Sequence, residues 1–466
     1  MATSARSTPL LVVDARPHKR FFIDMITRDI SLEACVLDLV DNAVDGATRA
    51  MSGAPRSARA PMPHPLSAGT TLYRGYSIDI SFDRTSFQIQ DNCGGLAIDI
   101  AREYAFTFGR DPGERTGADT ESGIGIYGIG MKRALFKLGH QFTVKSRTQH
   151  DAFEMVVDVE DWARRPNWEF ELAVTRATGR PGTTIAVSKL REGVAQELGD
   201  PAFLSRLGAS ASRTYAAFLD QGLVIRVNGR RLTSMAVTFL RGSGFQPLHE
   251  KFKELVHMPT GRAKARVDME IWAGAASTSS TDRPDEGTEE DTTPWGWYVL
   301  CNNRVVLAGD KSARTGWGVG SFPHWHPQYN GFVGILSFRS EAPYALPWTT
   351  TKNDIDIDSP LYRRARASMQ VAARSYISYS RARKANPDAA KTIERSARQV
   401  AASSVSRVQP MGTPQVPRVP SDSMTIQYQK PRDQIERAAE ALGKRGMSAS
   451  QVGSQTFDYY YNNEVE

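Results

Sequence analysis

The stretch Leu37-Asp38-Leu39-Val40-Asp41-Asn42-Ala43-Val44-Asp45-Gly46-Ala47 decides how the chain is read. At helical spacing Asp38, Asn42 and Asp45 fall at i, i+4 and i+7 and share one face, while almost every other position is apolar. A helix this apolar is buried, and a polar stripe on it costs several kcal/mol if it finds no partners. The stripe therefore either faces a cavity holding water, metal or ligand, or is satisfied by neighbouring backbone groups; taken alone, the stretch favours the second. The surrounding pattern predicts a helix from Phe21 to about Arg49, with Ser31 as a cap before Glu33 and an apolar face at Leu32, Val36, Leu39, Ala43 and Ala47.

Working outward, residues 51–70 break the helix with Pro, Gly, Ser and Ala, and alternation follows at Tyr76, Ile78, Ile80 and Phe82. A turn at Asp83-Arg84 and then Phe87 and Ile89 complete a hairpin signature. Its second strand ends in Gln90-Asp91-Asn92-Cys93-Gly94-Gly95, where adjacent glycines permit a sharp turn beside a flat ligand and a buried Asp can accept from an exocyclic amine. By itself this is merely a turn. Further on, Gly123-Ile124-Gly125-Ile126-Tyr127-Gly128-Ile129-Gly130-Met131-Lys132 leads into a predicted helix from Met131 to Leu138. Glycines at a helix start present free N–H groups and the positive dipole end to an anion, which suits phosphates. Gly123, Gly125 and Gly128 also fit the dinucleotide fingerprint, but residues 111–122 are polar and no strand precedes them; no Walker A sequence occurs. Strand-like runs at 141–146, 152–159, 168–175 and 183–189 make the first 190 residues helices on a mixed, mostly antiparallel sheet.

Residues 196–220 read as helical and polar enough to link domains, and Val224 to Arg230 as a strand and tight turn opening a second α+β unit. An acidic, Ser/Thr/Pro-rich insert at 276–294 reads as a disordered surface loop. A basic helix is expected at 359–400, a Pro-rich linker at 401–430, and a C-terminal helix with the aromatic run Thr456-Phe457-Asp458-Tyr459-Tyr460-Tyr461 at 431–466. The boundaries expected are thus 1–195, 196–358, 359–400, 401–430 and 431–466.

A chain of 466 residues is long enough for two folded domains and appendages. Cys35, Cys93 and Cys301 lie far apart, with neither disulfide nor zinc-ligand spacing. No apolar leader and no run of about 18 apolar residues occurs, so a soluble, cytoplasmic protein without membrane contact is expected. The net charge of +7 is concentrated: residues 361–400 carry ten Lys/Arg against Asp388 and Glu394, which fits a polyanion partner or a solvated helix face. His324-Trp325-His326 reads as a packing or surface cluster rather than metal ligands.

The ordered set of motifs resembles the GHKL ATPases (gyrase, heat-shock chaperone, histidine kinase, MutL), closest to the MORC and MutL branches. Asp38 to Asp45 is similar to the helix box Glu-x-x-x-Asn. The resemblance implies that Asn42 coordinates magnesium and Asp38 activates water, with Asp45 also at the nucleotide. Asp91-Asn92-Cys93-Gly94-Gly95 is similar to the Asp-x-Gly-x-Gly box, which implies that Asp91 and Gly95 receive adenine. The run containing Gly125, Tyr127, Gly128, Ile129, Gly130, Met131 and Lys132 resembles the lid that wraps the phosphates. Gly182-Thr183-Thr184-Ile185 is similar to the later Gly-Thr box, with Thr184 assigned to adenine. Thr349-Thr350-Thr351-Lys352-Asn353-Asp354 looks like the transducer loop, which gives Lys352 a catalytic place at the γ-phosphate. The chain departs from the pattern in carrying Asp38 in place of Glu and Cys93 in place of Gly.

The resemblance implies a Bergerat-type α/β sandwich followed by an α+β transducer and a helical basic region, with ATP and Mg2+ as cofactors. It also implies slow ATP hydrolysis and an ATP-dependent homodimer, with non-specific DNA and a protein held by the C-terminal tail as further partners. Repair, chromosome organisation, chaperone-like work and defence against foreign DNA all use this fold. The alternative is a nucleotide-sensing interaction module with little turnover. A histidine kinase is disfavoured, because His18 is the only histidine ahead of Asp38 and has no dimerisation-helix context.

Overall fold

The computed structural model describes residues 17–52, 71–108, 124, 129–234, 237–257, 264–276, 295–417, 424, 426–443 and 446–465. Two compact units part between Val416 and Pro417. The acidic insert expected at 276–294 lies, apart from Ala276, outside the described residues.

The first unit opens with α1 (Lys19–Arg28) and α2 (Leu32–Ser52), two helices where the sequence predicts one. The break falls at Asp29-Ile30-Ser31, and the cap expected there forms: Ser31 Oγ accepts from Ala34 N at 3.1 Å. The expected hairpin is β1 (Ser77–Phe82) and β2 (Phe87–Asp91), with Ile80 opposite Ile89 and Phe82 opposite Phe87. Asp83 closes it, its Oδ1 accepting from Thr85 N at 2.7 Å and Ser86 N at 2.9 Å. After a short turn of helix α3 (Ile98–Ile100) come α4 (Gly130–Leu138), β3 (Gly139–Arg147), β4 (Ala152–Asp158), α5 (Val159–Arg164), β5 (Ala173–Thr175) and β6 (Gly182–Leu190). The strand expected at 168–175 is only β5, because Trp168 and Phe170 turn into an aromatic cluster with Trp162 and Phe108.

Helices α6 (Glu192–Leu198), α7 (Pro201–Thr214) and α8 (Ala216–Asp220) fill the segment expected to be a polar link. They are not a link: Phe203, Leu207, Ala211, Tyr215 and Phe218 are buried in the core that α2 and the sheet share. They return the chain to β7 (Val224–Val227), which pairs in parallel with β1, Ile225 beside Ile78. With β8 (Arg230–Arg231) it completes an 8-stranded sheet of order β5-β4-β3-β6-β2-β1-β7-β8. The strand read as opening a second unit therefore closes the first sheet, since its buried alternation of Ile225 and Val227 continues that of Ile78 and Ile80.

A second sheet, of order β10-β11-β14-β12-β13, is built from β10 (Leu248–His257), β11 (Lys264–Ala275), β12 (Gly296–Cys301), β13 (Arg304–Asp310) and β14 (Phe332–Arg339), after β9 (Thr238–Arg241). The basic helix expected at 359–400 divides into α9 (Pro360–Ala385) and α10 (Pro387–Ser396), followed by β15 (Arg398–Ala401), which pairs with β9. Pro387 has no N–H to continue α9, and Asn386 caps the new helix through Ala389 N. The start of the expected linker is docked rather than free: Trp272 Nε1 donates to Val405 O at 3.0 Å, and Gln409 and Gly412 bridge to His249 and Gln246.

The second unit carries α11 (Arg432–Ala441) and α12 (Ala449–Glu464). The aromatic run is helical in α12, whose start is fixed by a capping box between Ser448 and Gln451. Among the described residues no helix is long and apolar enough to cross a membrane.

Candidate functional site

Helix α2 runs through the core of the first sheet's layer, with Val36, Leu39, Val40, Val44 and Ala47 buried together with the carboxylates of Asp38, Asp41 and Asp45. Each carboxylate has a partner. Asp38 Oδ2 receives Arg133 Nη2 at 2.6 Å, and Lys352 Nζ lies 3.5 Å from its Oδ1. Asp45 Oδ1 accepts from the backbone N of Ile124 at 2.7 Å, which ties one residue of the glycine-rich segment to the helix. Asn42 is the exception to burial in this stretch, and its Nδ2 donates to Asp38 O at 2.9 Å. With Nδ2 so engaged, Oδ1 is the hard oxygen donor that Asn42 can offer, which suits magnesium held chiefly by phosphates and water.

Asp41, which the sequence reading passes over, is the most heavily engaged. Its Oδ1 takes Tyr215 OH at 2.7 Å and Arg304 Nε at 2.9 Å, and its Oδ2 takes Lys352 Nζ at 2.8 Å. Burial alone would raise the Asp41 carboxyl, but Arg304 and Lys352 reverse this and hold it below the ordinary carboxylate range. Burial likewise opposes charge on Lys352, and Asp41 with Asp38 outweighs it, so the ammonium is held above its usual value. Lys352 arrives from a tight loop between Trp348 and Ile355, with a left-handed backbone at φ 54°.

Asp91 ends β2. Its Oδ1 accepts from Cys93 N at 2.8 Å and Thr183 N at 3.3 Å, and among the described residues no protein donor reaches Oδ2. Burial pushes this carboxyl up to about 6, against the pull of the two N–H bonds and Arg49. Cys93 in the glycine's place is accommodated, because the left-handed conformations fall on Gly94 and Gly95. Gly95 is required: a Cβ there would lie 1.8 Å from Arg147 O.

The structure exchanges one residue of the expected set. Thr184 pairs with Gln90 and Lys145, so its side chain is on the face opposite the core. Thr183 shares the face of Ile185 and Val187, bonds to Asp91 through its N–H, and has its Oγ1 3.1 Å from Ser146 Oγ. Strand alternation carried that signal. The threonine on the Asp91 side of the strand is therefore Thr183.

The start of α4 approaches Asp38 closely, a Cβ on Gly130 falling 3.1 Å from Asp38 Oδ2. Within that helix Arg133 N bonds Ile129 O at 2.9 Å, which places Gly130 and Met131 in the first turn, where the helix itself supplies no acceptor for their N–H groups. The Lys132 side chain does not join them. Its ammonium is buried on the carbonyls of Ala105, at 2.8 Å, and Thr107, because position 132 lies on the inward face of α4 with Leu135 and Phe136. Gly125, Tyr127 and Gly128 lie outside the described residues.

Asp38, Asn42, Gly130 and Lys352 thus gather on the earlier turns of α2, while the Asp91 turn packs on the later ones, Cys93 against Gly46 and Gly94 against Ala50, with Asp45 adjoining. Arg133, Arg304, Tyr215, Asp41 and Thr183 are additions from the fold. Among the described residues no group of three or more His, Cys, Asp and Glu could hold a metal ion, and Cys35, Cys93 and Cys301 are free and buried. No curated protein matches the chain. Residues 30–185, which contain every one of these site residues except Arg304, Tyr215 and Lys352, match the family described as histidine kinase-, DNA gyrase B- and HSP90-like ATPase, so this part of the chain is similar to an ATPase domain of the GHKL type.

Proposed function

We propose that the protein is a magnesium-dependent ATPase of the MORC- and MutL-like kind, an ATP-driven switch that closes as a dimer. The observation that carries this reading is Lys352, delivered from beyond the second sheet to the buried carboxylates of α2. Asp91 accepts the adenine amine at Oδ2 with Thr183 beside it, and the first-turn amides of α4 receive phosphate oxygens. Asn42 would hold magnesium through Oδ1; the ion, when bound, neutralises phosphate charge. Asp38 orients the attacking water and takes its proton, and Lys352 places a compact positive charge at the terminal phosphate.

The test is nucleotide binding by the full chain with and without magnesium. Asn42→Ala is expected to abolish the magnesium-dependent part, while Asp38→Ala retains ATP without hydrolysing it. Protein that binds no ATP in magnesium buffer contradicts the proposal.

A second reading, a nucleotide sensor with little turnover, is favoured by one observation: Asp38 is both shorter than Glu and already paired with Arg133. The Oδ2 that accepts from Arg133 is then occupied by a guanidinium and not by a water. Turnover above about 0.1 per second, against usual enzyme rates of about 1–1000 per second, argues against the sensor.

Non-specific DNA is the polyanion that the basic α9 and α10 segment would meet. Part of that charge is spent internally, Arg364 on Glu254 and Arg383 on Glu394, which leaves a moderate surplus. DNA affinity is expected to fall between about 50 and 200 mM salt; affinity indifferent to salt speaks against phosphate contact. A protein partner is assigned to α12, which exposes Phe457, Tyr459, Tyr460 and Tyr461; capture that survives removal of residues 449–466 argues against it.

A further inference from the structure

Asp41 and Arg304 are fully buried charged groups to which the proposed reaction gives no role. Arg304 sits at the start of β13, immediately after a hairpin turn formed by Asn302 and Asn303, both left-handed and both without solvent exposure. That turn is pinned from the side: Asn302 Nδ2 donates to Ser340 O at 3.1 Å, and its Oδ1 accepts from Ser340 N at 3.0 Å. The guanidinium then does two things at once. Nε donates to Asp41 Oδ1 at 2.9 Å, and Nη1 donates to the backbone carbonyl of Lys352.

The second bond matters because of where Lys352 stands. A left-handed backbone is unfavourable for a residue with a Cβ and persists only where the surroundings hold it. Here Lys352 N donates to Thr349 O at 3.0 Å on one side, and Arg304 holds the carbonyl on the other. The ammonium then has one direction in which to point, toward Asp41 Oδ2 at 2.8 Å and past it to Asp38 at 3.5 Å.

We propose that Arg304 and Asp41 are positioning residues for Lys352: the guanidinium fixes the lysine's backbone, the carboxylate fixes its ammonium, and together they deliver the charge beside Asp38 at the phosphate end of the site. This rests on the reading above that Lys352 meets the terminal phosphate. A planar guanidinium suits the task because its donors are rigidly related, so a bond to Asp41 on α2 dictates where the Lys352 carbonyl can lie. Tyr215, whose hydroxyl lies 2.7 Å from Asp41 Oδ1 and 2.8 Å from Leu37 O, holds the carboxylate in turn. Burial opposes charge on Arg304 and on Lys352, yet the neighbouring carboxylates hold both above their usual values, so the arrangement stays ionised.

The measurement is the ratio of ATP to ADP affinity in magnesium buffer, taken by calorimetry on the full chain. A lysine that touches only the terminal phosphate changes that ratio and leaves ADP binding alone. Lys352→Ala is expected to lower the ratio about tenfold, the scale of one charge-assisted bond. Arg304→Met is expected to lower it comparably while ADP affinity stays within about twofold, and the double variant is expected to be no lower than Lys352→Ala alone. Should Arg304→Met fail to fold, Arg304→Lys keeps a charge opposite Asp41 but cannot also hold the Lys352 carbonyl, and a smaller fall in the ratio is expected. Arg304 variants that weaken ATP and ADP alike, or that lower the ratio further when Lys352 is absent, overturn the positioning role. Wild-type protein that binds neither nucleotide overturns the nucleotide reading itself. An unchanged ratio in Lys352→Ala removes Lys352 from the phosphate and the inference with it.

Discussion

Lys352 and Asp41 are 311 positions apart in the chain, and their side chains meet at 2.8 Å. Water is nearly excluded from the contact, the two side chains being 7% and 0% exposed. A charge pair in such surroundings is strong and little screened by salt. It joins a loop that follows the second sheet to helix α2 on the first sheet.

Removing the carboxylate leaves two cations buried without their counter-charge. Asp41→Asn is therefore expected to destabilise the first unit by about 3–5 kcal/mol, read by chemical denaturation. A loss under about 1 kcal/mol would mean that water enters the contact. The folded-state value of Asp41 lies below its unfolded value, so its contribution is present above the unfolded value and lost as pH falls through the folded one. Wild-type stability should accordingly fall faster than that of Asp41→Asn below about pH 4.

Asp91 titrates in the opposite sense. Burial raises its carboxyl to about 6, above the unfolded value, so folding favours the protonated form; that contribution is fully present below the unfolded value and is lost as pH rises through about 6. The carboxylate is the form whose Oδ2 accepts from an amine. Nucleotide affinity is expected to weaken as pH drops through about 6, and Asp91→Asn should remove that step from the pH profile. Because phosphate groups titrate nearby, adenosine is the ligand to use; an adenosine profile identical in wild type and variant contradicts the assignment.

Two adjacent threonines separate the sheet's faces. Thr183→Val removes a hydroxyl beside Asp91 and should weaken ATP binding about tenfold, near 1.4 kcal/mol. Thr184→Val, on the far face, should change it less than about twofold. The reverse order would restore Thr184 to the site.

Asp38→Asn keeps the shape at the start of α4 but withdraws the proton acceptor. Turnover is expected to fall about 100-fold or more with ATP affinity nearly kept, measured in single-turnover experiments. Equal turnover would place the base elsewhere.

Much of this protein was legible in one dimension. The i, i+4, i+7 stripe of Asp38, Asn42 and Asp45, the alternation through Ile78, Ile80, Ile89 and Phe87, and the glycines after Asp91 all express constraints between residues near in sequence, namely helix period, strand period and backbone sterics. These determined the helix-on-sheet layer and most of the candidate residues that the fold gathers about α2. Where local rules were read coarsely the fold differs: Thr183 and not Thr184 lies on the Asp91 side of the strand, the Lys132 side chain of the glycine-rich run turns inward, and the strand at Val224 joins the first sheet. Only the tertiary structure decided that Asp41 is the hub, that Arg133, Tyr215 and Arg304 surround the carboxylates, and that Lys352 reaches them. A charge carries no mark in the sequence of the partner it will meet, because that partner is chosen by distance in a dry interior and not by spacing along the chain.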